Sequence, residues 1–142
     1  MGRGFRAFIR ITILLLALAG ILLYTIPGRV SVNTEDAASY FTVSATFAKD
    51  IKVNYDNITN LEVVDDFDFG LQGFAFMNLQ IASGSFASQT YGSYDMRINR
   101  FTRKYIVLQN GDSYLVFNCN GEIETVECYN YIRQRLNQII SG

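Results

Sequence analysis

Positions 11–26 read ITILLLALAGILLYTI without a charge, and Phe8, Ile9 and Arg10 extend this apolar stretch to a candidate helix of 19 positions. At 1.5 Å of rise per residue it is about 28 Å long, close to the hydrocarbon thickness of a bilayer, with Arg10 reaching back to the headgroups. No polar face interrupts the stretch, which argues against a buried amphipathic core helix. Pro27, the only proline, and Gly28 follow at once, where a helix leaving the bilayer should stop. Tyr24 adds an aromatic side chain at interfacial depth. A cleaved secretory signal shares the basic start and apolar run but needs small residues at the end of a shorter core. Here Ala17, Ala19 and Gly20 lie mid-run, and the exit is Tyr24, Thr25, Ile26 and Pro27, so the pattern favours a retained anchor.

After Arg29 the periodicity shortens to two. Val30 and Val32 start one strand, Phe41, Val43 and Ala45 share one side of another, and Ile51, Val53 and Tyr55 repeat in the same way. Further strands are predicted over 58–64, 79–86 and 94–98. The Gly, Ser and Ala content of 79–86 marks a tight bend or a close backbone approach. Residues 105–108 and 114–117 flank Asn110, Gly111 and Asp112. Asn-Gly tolerates positive φ at two successive positions, so a type I′ hairpin is predicted. Ile106, Val107, Leu108 and Leu115, Val116, Phe117 are consecutive apolar runs, as expected of central strands covered on both faces.

The chain closes on an amphipathic helix. Val126, Tyr129, Ile132, Leu136, Ile139 and Ile140 recur at three- and four-residue steps, with Glu122, Glu124 and Glu127 early and Arg133 and Arg135 late, the polarity the helix dipole favours. Its apolar stripe is expected to be buried on a sheet of about seven strands. The expected organisation is a basic tail and transmembrane anchor over 1–29 and one α+β domain over 30–142, large enough to bury its own core.

Composition narrows the chemistry. The chain has no histidine, which removes imidazole acid–base catalysis, Ser/His/Asp and Cys/His nucleophile sets, and His-ligated metal sites. Its 12 basic and 13 acidic residues are unevenly placed, since Arg3, Arg6, Arg10 and Arg29 are the only charges in the first 29 positions. The remainder therefore carries a net negative charge of five, from eight basic and thirteen acidic residues, which disfavours nucleic acid as a partner. Arg3, Arg6 and Arg10 precede the apolar run and place the amino terminus in the cytoplasm by the positive-inside rule, with the domain outside.

The run from Ile51 to Asp66, Gly73 with Phe74, the Gly84, Ser85, Phe86 triplet, the strand opening at Lys104 and Tyr105, the Asn110, Gly111, Asp112 turn, the Val116, Phe117, Asn118 ending and the Glu-rich closing helix together resemble the pleckstrin-homology-like (PH-like) domains of small membrane proteins from Gram-positive bacteria. The resemblance covers roughly residues 30–140 and is a pattern of strand endings and turns, which speaks to fold rather than activity. It implies a PH-like small antiparallel barrel or sheet closed by the carboxy-terminal helix, in a membrane-tethered, non-enzymatic binding or scaffolding module with no cofactor and an unidentified protein partner. Phosphoinositide-binding PH domains carry basic residues in the first inter-strand loop. The corresponding positions 33–39 hold Glu35 and Asp36, a departure from that pattern. Other PH-like domains take peptides beside the closing helix.

Asp65, Asp66 and Asp68 are close in sequence but lack the spacing of an EF-hand loop, so no metal site is expected. Arg97, Arg100, Arg103 and Lys104 form the only basic cluster of the domain, suited to an anionic partner or, as ordinary turn charges, to blocking edge-to-edge pairing. Phe67, Phe69, Phe74, Phe76 and Met77 crowd a glycine-interrupted segment and are expected to be core rather than a docking patch. Cys119 and Cys128 lie nine positions apart; in an oxidising compartment a disulfide between them would contribute about 2.5 kcal/mol, and in the cytoplasm two free thiols are the default. Asn57, Ile58 and Thr59 match a glycosylation acceptor that the bacterial resemblance discounts. Two alternatives to an external module stay open: a cytoplasmic domain reading anionic membrane and a structural subunit of a membrane complex, for which the span offers no GxxxG pair.

Overall fold

The computed structural model describes residues 2–35 and 38–142. Helix α1 (Arg3–Thr25) is long and apolar enough to span a membrane, and none of its residues is buried against the rest of the protein. Nine strands follow: β1 (Val30–Asn33), β2 (Tyr40–Ala45), β3 (Ile51–Asn54), β4 (Ile58–Val64), β5 (Leu71–Met77), β6 (Ile81–Ser88), β7 (Gly92–Asn99), β8 (Tyr105–Asn110) and β9 (Ser113–Phe117). Helix α2 (Glu122–Ser141) ends the chain. Strands β1, β2 and β3 form one antiparallel sheet, and the other six form a second sheet in the order β4-β8-β9-β7-β6-β5. The architecture is α+β, with an apolar helix, two sheets and a closing helix, and the described residues form nine strands rather than about seven.

The larger sheet is mixed rather than wholly antiparallel. The hairpin β8–β9 inserts β9 beside β7, and these two run parallel in the register Tyr94↔Tyr114 to Arg97↔Phe117. The hairpin turn differs in type from the expectation. Asn110 pairs with Ser113, leaving Gly111 and Asp112 as the loop, and only Gly111 has positive φ, at 63°. That is the type II′ pattern, with glycine at the first central position. The strand predicted to include Tyr55 stops at Asn54, because Tyr55–Asn57 forms a short 3-10 turn that drops the Tyr55 ring into the core.

The consecutive apolar runs of β8 and β9 are explained by two cores. Ile106, Leu108, Leu115 and Phe117 face Phe41, Val43 and Val53 of the small sheet, with Tyr55 and with Ile132 of α2. Val107, Val116 and Tyr105 face the other way, where Phe67 and Phe69 from the β4–β5 connection fold over Tyr94 and Met96. Thus α2 does close the small-sheet side, through Ile132, Cys128, Tyr129 and Leu136. Its stripe is not buried to the end, since Ile139 and Ile140 are exposed.

Strand β5 is the element least legible beforehand. It is an edge strand whose register slips between Gln72 and Ala75, and the bulge turns Phe74 outward to 97% exposure, with Leu71 and Met77 also exposed. Of the aromatic segment expected to be core, only Phe67 is fully buried, while Phe69 and Phe76 are half-buried. The predicted close approach is real: Gly84 of β6 has φ of +130°, and a Cβ there would lie 2.4 Å from the Ala75 Cα and 2.5 Å from the Phe74 carbonyl oxygen. Gly84→Ala is therefore expected to lower stability by about 3 kcal/mol, because both the backbone conformation and the β5 contact reject the methyl group. Urea denaturation of the full chain in nonionic detergent measures it; an unchanged midpoint contradicts the assigned β5–β6 packing.

Candidate functional site

The end of α1 is fastened directly to the domain. The last carbonyls of a helix have no partner within it, and here those of Leu23 and Tyr24, with that of the capping residue Ile26, meet the β5–β6 turn. The Asn78 Nδ2 donates to the Ile26 carbonyl at 3.0 Å and the Leu23 carbonyl at 3.4 Å, and the Leu79 N–H donates to the Tyr24 carbonyl at 3.1 Å. Asn78 itself is buried, and its Oδ1 accepts from the Gln80 and Ile81 N–H groups at 2.9 and 2.8 Å. The amide is thus used on both its donor and acceptor sides. Gln80 Oε1 accepts from the Gly28 N–H at 3.1 Å, and Gly28 lies so close to Ile81 that no side chain fits there.

Three more asparagines extend this polar joint. Buried Asn118 accepts from the Asn99 N–H at 2.7 Å and donates to the Asn99 and Thr102 carbonyls. Asn99 donates to Asn120, and Asn120 closes on both backbone groups of Val30. The start of β1, the β7–β8 crossing and the end of β9 are thereby held together at the end of the domain nearest α1.

The four basic residues grouped in sequence do not form one patch. Arg100 is drawn to the joint, its Nη1 donating to the Asn78 carbonyl and its N–H to the Gln80 carbonyl. Lys104 pairs with Asp65, the one ion pair among the described residues, and that hydrogen bond raises the lysine pKa. Arg103 is exposed, whereas Arg97 is buried. The aspartates serve the β4–β5 loop, with Asp66 accepting from the Phe67 N–H and Asp68 from the Gly70 N–H, and no acidic, cysteine or histidine cluster suited to a metal occurs among the described residues. Arg3, Arg6 and Arg10 lie exposed on α1. Glu35 donates its N–H to Asn33, and Asp36 lies outside the described residues.

Cys119 and Cys128 are brought together, both half-buried. The Cys128 thiol hydrogen-bonds to Cys119, which holds the Cys119 pKa below its usual value, while the same bond and burial push that of Cys128 well up. Thr125 Oγ1 accepts from the Cys119 N–H at 3.0 Å and donates to the Gly121 carbonyl at 2.6 Å, tying the first turn of α2 to the end of β9.

A cavity of about 410 Å³ lies between the β2–β3 turn and the face of β5, β6 and β7. Strand registers explain its chemistry. One row across the sheet runs Ile106, Phe117, Arg97, Ser83 and Phe76, and the next runs Leu108, Leu115, Asp95 and Ser85. The apolar half of each row lies in the core shared with the small sheet; the polar half emerges under Phe47, Ala48 and Lys49 of the turn and forms the cavity wall. Neither Phe47 nor Ser83 was singled out by sequence. The available signal was alternation: Ser83 and Ser85 on one strand, Asp95 and Arg97 on another, put polar residues on a face whose continuation is core.

No protein family, curated protein or solved structure matches the chain.

Replacing Asn78 by alanine is expected to cost about 2–3 kcal/mol by leaving buried partners unsatisfied, and to expose the segment around Pro27 and Gly28 to limited proteolysis. Urea denaturation and digestion of the full chain in detergent measure the two effects, and a neutral substitution would show that the joint is dispensable. Mild oxidation with diamide is expected to link Cys119 to Cys128 within one chain, read by mass spectrometry as the loss of two hydrogens. Full alkylation of both thiols after that treatment would show that they do not reach bonding geometry.

Proposed function

We propose that this chain is a single-pass membrane protein whose domain is a PH-like, non-enzymatic binding or scaffolding module outside the cytoplasmic membrane. The observation that carries the reading is the fastening of α1 to the β5–β6 turn through Asn78 and Leu79. An apolar helix removed as a signal would leave the buried Asn78 amide and the Leu79 N–H without these acceptors, at a cost for each lost partner. A retained helix keeps them and holds the domain at the membrane surface with no flexible stalk.

The outward orientation rests on Arg3, Arg6 and Arg10 ahead of the apolar stretch, against Arg29 alone beyond it. The non-enzymatic reading rests on the lack of histidine and on the aspartates being spent in loop hydrogen bonds. The PH-like assignment draws support from a strand-rich body closed by one carboxy-terminal helix. Protease added to intact cells or protoplasts expressing the chain is expected to remove a carboxy-terminal epitope while a cytoplasmic control survives. Protection until lysis would overturn the orientation and move the domain to the inner leaflet.

A further inference from the structure

The cavity beneath the β2–β3 turn holds a cation without an acid partner. Arg97 is 5% exposed, and its guanidinium donates to backbone carbonyls only: Nε and Nη2 to Lys49 at 3.4 and 3.0 Å, and Nη1 to Met96 at 2.7 Å. A guanidinium has five N–H donors, so one on each Nη is left over, and no carboxylate of the described residues lies within ion-pair distance of it. Buried arginines are normally paired. Burial pulls the Arg97 pKa down, and Asp95 and Asp50 oppose that from beyond contact.

Two independent features converge on the same space. Ser83, paired with Arg97 in the strand register, is 2% exposed and its hydroxyl has no hydrogen-bond partner, a costly state for a buried polar group. At the rim, Phe47 holds a left-handed backbone with φ of 61°, and its ring meets Phe76 at 5.0 Å. A bulky residue in that region is strained, and such strain concentrates at ligand sites. Phe74 stands beside them almost fully exposed.

We propose that this cavity binds a small monocarboxylate carried on an aromatic or short acyl body, the carboxylate meeting the free Arg97 N–H groups and the Ser83 hydroxyl, and the body lying against Phe47, Phe74 and Phe76. A forked guanidinium suits a carboxylate, and the volume is that of a small-ligand pocket. Asp95 on the wall sets the charge preference: its repulsion is tolerable for a monoanion and grows for a dianion. The ligand is either a soluble acid or a fatty acid from the adjacent membrane, because the β5–β6 turn that begins at Asn78 is fastened to the end of α1. The inference deepens the binding-module reading but is independent of which side of the membrane the domain occupies.

The test uses the full chain in nonionic detergent micelles, titrated with phenylacetate, phenylacetamide, phenylphosphonate, decanoate and decanol while the Gly84 and Ser85 amides and the Arg97 Nε–H are followed by NMR. A saturable shift is expected with phenylacetate or decanoate, at least about tenfold tighter than with the matched neutral compound, as a charged hydrogen bond implies. Saturation by phenylacetate alone assigns a soluble source, and by decanoate alone a membrane source. Ser83→Ala and Phe74→Ser, neither of which removes a packed core group, are each expected to weaken binding by about three- to tenfold. Arg97→Gln should abolish it, with the two milder variants deciding if that protein does not fold. No shift by about 10 mM of either acid, equal affinity for acid and neutral compound, tighter binding of phenylphosphonate, or unchanged affinity in both milder variants overturns the proposal. Failure here leaves the protease result untouched, so the ligand and the topology are judged separately.

Discussion

The rest of the structure depends on a joint of buried amides at the end of the domain nearest the apolar helix. Asn78 bridges the β5–β6 turn to the end of α1, Asn120 bridges β7 to β1, and Asn118 and Asn99 lock the ends of the neighbouring strands β9 and β7; Asn78 and Asn118 are buried almost completely. In a low-dielectric setting such groups stabilise only when fully paired and cost heavily when not. The joint therefore has one geometry, and with it the helix exit, the first strand and the β7–β8 crossing have one arrangement. A hydrophobic contact alone would allow sliding; directional amide bonds do not.

That constraint connects to the chemistry of the cavity. Arg100 completes the joint through Asn78, whereas Arg97, three residues earlier and on the opposite side of the β7 end, points under the β2–β3 turn and ties it to the sheet through the Lys49 carbonyl. Beyond that clasp the small sheet no longer covers the large one, and the rows that place Phe117 and Leu115 in the core carry Ser83 and Ser85 outside it. The cavity exists because two sheets of unequal width, three strands against six, leave part of the wider face uncovered. The outer core closes differently, with the Phe67 ring stacked on Tyr91 at 5.3 Å and edge-on to Tyr94 at 5.7 Å. Burial, reinforced by Asp68, pushes the Tyr94 pKa up to about 12, and its hydroxyl donates to the Phe69 carbonyl at 2.6 Å.

Much of the fold was legible in local patterns. The period-two segments of β1, β2, β4, β7, β8 and β9 and the Glu-led closing helix have boundaries within a few residues of those expected, and the apolar helix ends as expected but begins five residues earlier, at Arg3 rather than Phe8. Strand β5 was not legible, because its bulge breaks the alternation between Gln72 and Ala75 and its aromatic residues mimic core. The turn at Gly111 was legible as a hairpin but not by type, since which residues occupy the two central positions depends on the register across the strands. The cysteines illustrate an intermediate case: nine positions of spacing allowed a contact, and the last strand running into the first turn of α2 brought it about.

What the sequence by itself determined is what nearest neighbours decide: an apolar helix long enough for a bilayer, strands with alternating faces, a glycine-bearing hairpin, and an amphipathic helix at the end. Helix propensity, period and turn chemistry act over a few residues, so they can be read along the chain. Only the tertiary structure decided that β9 lies parallel to β7, that the four clustered basic residues part company, and that a solitary guanidinium and an unpaired hydroxyl share one cavity. Those outcomes rest on pairings such as Asn78 with Ile26 and Arg97 with Lys49, separated by 52 and 48 positions. Interactions at that separation are chosen by the global packing of the sheets and have no counterpart in any local window of residues.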